Sequence, residues 1–288
     1  MYFASEPCKT RAVTRELAEK IREQPDLTWL ALVDGAFDHG RAGLSLPGER
    51  HALYDHDGMS DLLAASPYLI VLTAHDAERL QRELTALVLH RKERPMLSFI
   101  GTSLSASAVN ENFRLFAAAA TDEGQEFLLR FADTRVLVGL PDSLRREYWD
   151  GMTCLLANWI VIDRDGQPRP LPLNANRASL QSRFQLSPAE FAKLVASSEP
   201  DAILDAIAEG NPEALPEFNR AAIYQKVADA CLFAQRHKVS AFPDLVALAY
   251  LALLKDGKEL QDPTLGDMFL RSEWVSGSLI NHLVDFFE

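Results

Sequence analysis

The chain has 288 residues, 48% of them hydrophobic and 24% charged, which is the balance of a soluble globular protein with one large core or two modest ones. Its 29 basic and 41 acidic side chains give a formal net charge of −12, a field that repels phosphate backbones and argues against a nucleic-acid partner. No window approaches the roughly 20 apolar residues of a membrane-spanning helix, and Met1 to Thr10 lack the apolar stretch of a secretory signal. The expectation is a cytoplasmic protein with no stable membrane insertion.

In chain order, Val13, Leu17 and Ile21 share one face of a predicted helix over Arg11 to Gln24. Strands are predicted at Leu27 to Asp34, His51 to Tyr54 and Tyr68 to Thr73. An amphipathic helix follows from Asp76 to Arg91, with Leu80, Leu84, Leu87 and Val88 inward and Glu78, Arg79, Arg82 and Glu83 outward. The basic run Arg91-Lys92-Glu93-Arg94 reads as its solvated end, where cations suit the helix dipole. Then come a strand at Met96 to Gly101, a helix at Ser105 to Ala120, a strand at Glu126 to Ala132, and an apolar run at Leu155 to Ile162 whose Asp163 to Gly166 turn leads toward a hairpin. Turn formers from Asp163 to Pro170 and a polar stretch after Leu173 place a boundary there. Ser187-Pro188-Ala189-Glu190 is a capping box with proline at the first helical position. It opens helices at about Pro188 to Ser197, Asp201 to Glu209, Phe218 to His237, Pro243 to Lys255 and Glu273 to Phe287. The expected class is α/β (α+β): an N-terminal domain, residues 1–173, with a mixed sheet covered by helices, then an all-helical lobe, residues 174–288.

Candidates for chemistry are sparse. Asp55-His56-Asp57-Gly58-Met59 resembles a DxDG phosphatase nucleophile loop, but Met59 replaces the usual small or β-branched residue and the preceding apolar run is short. A polar loop accounts for it as well. Gly101-Thr102-Ser103-Leu104-Ser105 lies between a strand and a helix like a hydrolase elbow, yet Ser105 stands where the second glycine belongs and reads better as an N-cap. The seven histidines are scattered, no metal-ligand or phosphate-loop motif is present, and Cys8, Cys154 and Cys231 form no CxxC pair, which suits reduced thiols. No cofactor and no metal are expected, and the expectation is a protein that is not an enzyme.

Two features ask for a structural account. Arg130 sits inside the apolar run Phe127 to Ala132, and a buried guanidinium is costly unless paired. Asp34 or Asp133 is the expected partner of Arg130 or Arg135, making a polar lock; an edge strand with Arg130 reaching out to water is the alternative. Second, the helix carrying Leu245, Val246, Leu248, Leu251 and Leu254 is apolar nearly all round, and the last helix carries Trp274, Val275, Leu279, Ile280, Phe286 and Phe287. Such helices form a core or line a groove for a partner's helix.

Trp29 to Ala36, then Ser66 to Leu72, then Leu129 to Leu137 resemble, in order and spacing, the signatures of the type VI secretion adaptor chaperones, the Tap/Tec-type proteins long filed under a domain of unknown function. Glu199 to Leu204 and the run from Tyr224 through His237 to Leu245 are similar to the helical region that often follows. Ala132 and Thr134 replace the tyrosine and proline of the family's RFYDPR-like string. The resemblance implies a non-enzymatic cytoplasmic adaptor. It would bind the N-terminal or delivery region of a type VI effector and load it onto the VgrG spike, with the cargo held by the interlobe cleft and the apolar helices. Leu248, Leu251, Trp274 and Phe287 are the expected anchors. The alternatives are a small hydrolase using Asp55/Asp57 or Ser103, and an immunity protein whose acidic surface neutralises a basic toxin.

Overall fold

The computed structural model describes residues 2–56, 58–121, 123–175, 177–180, 182–271 and 274–287. In chain order the elements are α1 (Thr10–Arg22), β1 (Thr28–Val33), β2 (Arg50–Ala52), β3 (Tyr68–Val71), α2 (Ala77–Arg91), β4 (Leu97–Thr102) and α3 (Ala106–Arg114). Next come β5 (Ala118–Thr121), β6 (Glu126–Leu128), three short helices α4 (Thr134–Leu137), α5 (Leu140–Ser143) and α6 (Arg146–Thr153), then β7 (Asn158–Ile162), β8 (Pro168–Pro170) and β9 (Gln185–Leu186). The last part is helical: α7 (Pro188–Gly210), α8 (Arg220–Arg236), α9 (Phe242–Leu254), α10 (Pro263–Arg271) and α11 (Val284–Phe287). The chain divides into two compact units, an α/β unit of Pro7–Val195 and a helical unit of Met1–Glu6 with Ala196–Glu288. The division falls within α7.

The α/β unit is built on a six-stranded sheet in the order β2-β3-β1-β4-β7-β8, with every pairing antiparallel. β3 and β4 flank β1 and run in the same direction, so α2 crosses over β1 to join them. Strand alternation explains why β1 is apolar throughout. Trp29, Ala31 and Val33 pack under Leu17, Ile21, Leu84 and Leu87 of α1 and α2, while Leu30 and Leu32 face Val109, Phe113 and Trp159 on the other side. β7 and β8 form the hairpin across the Asp163 to Gly166 turn. A small second sheet has the order β6-β5-β9, with β5 and β9 parallel.

Several elements differ from the sequence expectation. The helix expected from Ser105 to Ala120 stops at Arg114, because Ala118 to Thr121 pair with β6 and β9 instead. The strand expected from Glu126 to Ala132 ends at Leu128, so Arg130 lies in the turn beyond it. Glu83 is buried rather than outward, and its carboxylate accepts from the Thr73 N–H and hydroxyl, both at 2.8 Å. The basic run after α2 is not a solvated end: Arg91 and Arg94 are buried. In the helical unit α7 runs unbroken through Pro200. The expected final helix is instead a 3-10 turn at Leu279–His282 followed by α11, with α10 ahead of it.

The helical unit has its own core, in which α8 packs along α9. Phe233 and Phe269 meet edge to face at 5.2 Å. The first residues of the chain belong to it. The Tyr2 N–H donates to Asp205 at 2.7 Å, and Glu6 accepts from the Ala221 N–H at 3.2 Å, serving an orphan donor of α8 that its left-handed N-cap residue, Asn219, leaves uncapped. Among the described residues no helix is long and apolar enough to cross a membrane.

Candidate functional site

Asp34 directly follows β1, and its N–H donates to the Met96 carbonyl at 2.9 Å. Its carboxylate divides its work. Oδ1 accepts from the Ala36 N–H at 3.0 Å, capping the 3-10 turn Gly35–Asp38, and Oδ2 accepts from Arg130 Nη2 at 2.7 Å. The two partners are unequal in exposure, 1% for the Asp34 side chain and 41% for Arg130. Arg130 therefore keeps one face in water while it neutralises a buried charge. Burial pushes the Asp34 carboxyl above its ordinary range, and Arg130 offsets only part of that.

The Arg130 guanidinium lies over the Phe37 ring at 5.3 Å, and Arg135 approaches the same ring at 5.9 Å. Asp133 is buried, caps α4 through the Arg135 N–H at 3.0 Å, and accepts from Arg135 Nε at 3.1 Å and Nη2 at 2.7 Å. Asp38, at the end of the capped turn, contacts His90 Nε2 and Arg94 Nη1, both at 2.9 Å. Arg94 also donates to the Phe37 carbonyl at 2.9 Å. Three carboxylates and three guanidiniums thus tie the end of β1, the turn after it, the end of α2 and the start of α4 around one phenylalanine. Asp38, His90 and Arg94 are the members that sequence reading missed. Helical spacing could not have found Arg94, because α2 ends at Arg91 and Lys92 takes a positive φ of 52° that redirects the chain.

A cleft of about 350 Å³ opens beside this lock, lined by Gly35, Asp38, Arg50, Leu63, Ser66 and Tyr68 among others. Gly35 is required there, since a Cβ would collide with the Ser66 carbonyl oxygen. Arg50 lies over the Tyr68 ring at 4.9 Å, and burial lifts the Tyr68 hydroxyl to about 12.

Of the hydrolase candidates, Asp55 and Ser103 fall among the described residues. Asp55 is exposed after β2, a three-residue edge strand of an antiparallel sheet, and its carbonyl accepts from Arg114. Asp57 lies outside the described residues. Ser103 is exposed, and Ser105 Oγ caps α3 by accepting from the Ala108 N–H at 3.2 Å. Among the described residues no cluster of His, Cys, Asp and Glu could hold a metal ion.

The expected anchors fall in different places. Leu248 and Leu251 have no exposed surface and are core residues of the helical unit, because the α9 face that carries them packs inward. Trp274 is half-buried; its indole N–H donates to Asp244 at 3.3 Å and its ring meets Phe269 at 4.8 Å. The side chain of Phe287 lies outside the described residues. The large apolar side chains that this unit does expose include Phe218 at 70%, Leu270 at 78% and Val275 at 77%.

No curated protein and no solved structure matches the chain. Residues 29–151, the segment that carries Asp34, Phe37, Arg94, Arg130, Asp133 and Arg135, match the family model described as a domain of unknown function, DUF4123.

Proposed function

We propose that the protein is a non-catalytic cytoplasmic adaptor that binds a type VI secretion effector by its N-terminal or delivery region and passes it to the VgrG spike. The observation that carries this reading is the match over residues 29–151, since DUF4123 is a family linked to type VI effector adaptors. Two features of the chain support it. The carboxylates of the lock, Asp34, Asp38 and Asp133, are paired with Arg130, Arg94 and Arg135, as a scaffold requires. The helical unit keeps Phe218, Leu270 and Val275 in water, and these apolar side chains are free to meet a partner. With Leu248 and Leu251 in the core, these exposed residues take over as the proposed contact residues.

The test is co-purification of the tagged full-length chain with the effector and spike proteins encoded beside it in its native host. Retention of both partners, lost for the effector in a variant with serine at Phe218, Leu270 and Val275, is the expected result. Secretion that continues unchanged in a host lacking the protein would overturn the reading.

A further inference from the structure

The acidity of the chain is uneven. The helical unit contains sixteen acidic and seven basic residues, so most of the net charge lies there. Three of those seven, Lys226, Arg236 and Lys258, line one groove of about 290 Å³. Its first wall is a face of α8, on which Lys226, Asp229, Leu232 and Arg236 recur at helical spacing. Its second wall is the turn after α9, where Asp256 and Gly257 both take positive φ, 62° and 75°, and reverse the chain. The Gly257 N–H closes that turn on the Ala252 carbonyl at 2.8 Å, and an ion pair from Lys226 to Asp256 at 2.7 Å fastens it to α8.

The groove is thus fixed by contacts that leave charge over. Lys226 is committed to Asp256, on which Lys258 also acts electrostatically. Asp229 accepts from the neutral Gln225 amide at 2.8 Å and keeps its charge, so the lining carries three cations against two carboxylates. Among the described residues Arg236 and Lys258 are in no ion pair, and Arg236 is held only through Nε, which donates to the Leu232 carbonyl at 3.3 Å, with its guanidinium 5.9 Å from the Phe233 ring. Between these cations Leu232 is 55% exposed, and Leu260 is half-buried across from it. An apolar platform in a groove whose three cations outnumber its two carboxylates, on a unit that is otherwise acidic, favours one kind of occupant. The groove volume is at the low end for ligand pockets, sized for the side chains of a segment.

We propose that this groove binds an acidic, apolar-anchored segment of a partner protein, with the anchor on Leu232 and carboxylates on Arg236 and Lys258. The acidic surface around it would repel the same segment elsewhere and so set its register. The identity of the partner as a type VI effector rests on the adaptor reading; the chemistry of the groove does not.

The experiment is fluorescence anisotropy of the full-length chain with a labelled helical peptide of leucine and glutamate, and with its twin in which every glutamate is glutamine. The glutamate peptide is expected to bind, the glutamine peptide about tenfold or more weaker, and added salt to weaken the first selectively. The R236E/K258E variant should lose about tenfold in affinity for the glutamate peptide and gain affinity for a lysine counterpart. R236A/K258A, with an unchanged circular dichroism spectrum, should show a smaller loss in the same direction. Equal binding of the two peptides, no binding of either, or unaltered binding by both variants would overturn the proposal. A failed co-purification with effector and spike would instead count against the adaptor reading and leave the peptide result standing.

Discussion

Asp34 shows how one residue joins local chemistry to the fold. Its side chain serves a turn and a distant arginine at once, from a position with almost no water. Arg130→Ala should destabilise the protein by about 1–3 kcal/mol near neutral pH, because it strands a buried carboxylate while the partner lost was partly solvated. Asp34 would take up a proton at higher pH than before, so the gap to wild type should narrow in acid; denaturant unfolding at two pH values measures it. Glu190 has the opposite sign. Burial pushes its carboxyl up, but hydrogen bonds from Arg145 and Ser187 outweigh this and bring it from the ordinary 4.5 down to about 2. A depressed folded pKa contributes stability that is complete above 4.5 and is lost as pH falls toward about 2. Glu190→Gln should therefore lower Tm at neutral pH, and the difference should close across that interval.

At the scale of elements, periodicity told where apolar faces lie and misled where partners mattered. Ala117 to Ala120 are strong helix formers read alone, yet Ala118 to Ala120 sit in a strand because β6 pairs with them. The Ser187 to Glu190 box was legible, and its reciprocal bonds are made, Ser187 N–H to Glu190 at 2.9 Å and Glu190 N–H to Ser187 at 3.3 Å. The closing segment was not legible, since its shape depends on Asp244 in the first turn of α9. That buried carboxylate accepts from the Gly277 and Leu279 N–H groups, both at 2.9 Å, and from Trp274. Asp244→Ala should cost about 2–4 kcal/mol by orphaning backbone donors. A red shift of tryptophan emission should accompany it. An unshifted spectrum with full stability would show that residues 274–279 hold their place without it.

At the scale of the molecule, the two units have separate cores and unequal charge. Calorimetry should resolve two transitions; Arg130→Ala should lower one and Asp244→Ala the other. A single transition shifted equally by both variants would mean that the units unfold as one. The sequence by itself determined the α/β-then-helical order, the apolar faces of α1, α2 and β1, and the ordered strings that the DUF4123 match overlies, because these rest on period, capping and turn chemistry between near neighbours. Only the tertiary structure decided that Arg130 belongs to Asp34, that Asp38, His90 and Arg94 join the lock, that Leu248 and Leu251 are core, and that three cations meet in one groove. The physical reason is range. Pairing of buried charges and assignment of a helix's inner face are settled between residues far apart in the chain, where the cost of an unpaired group or an uncovered leucine is set by what the fold brings against it.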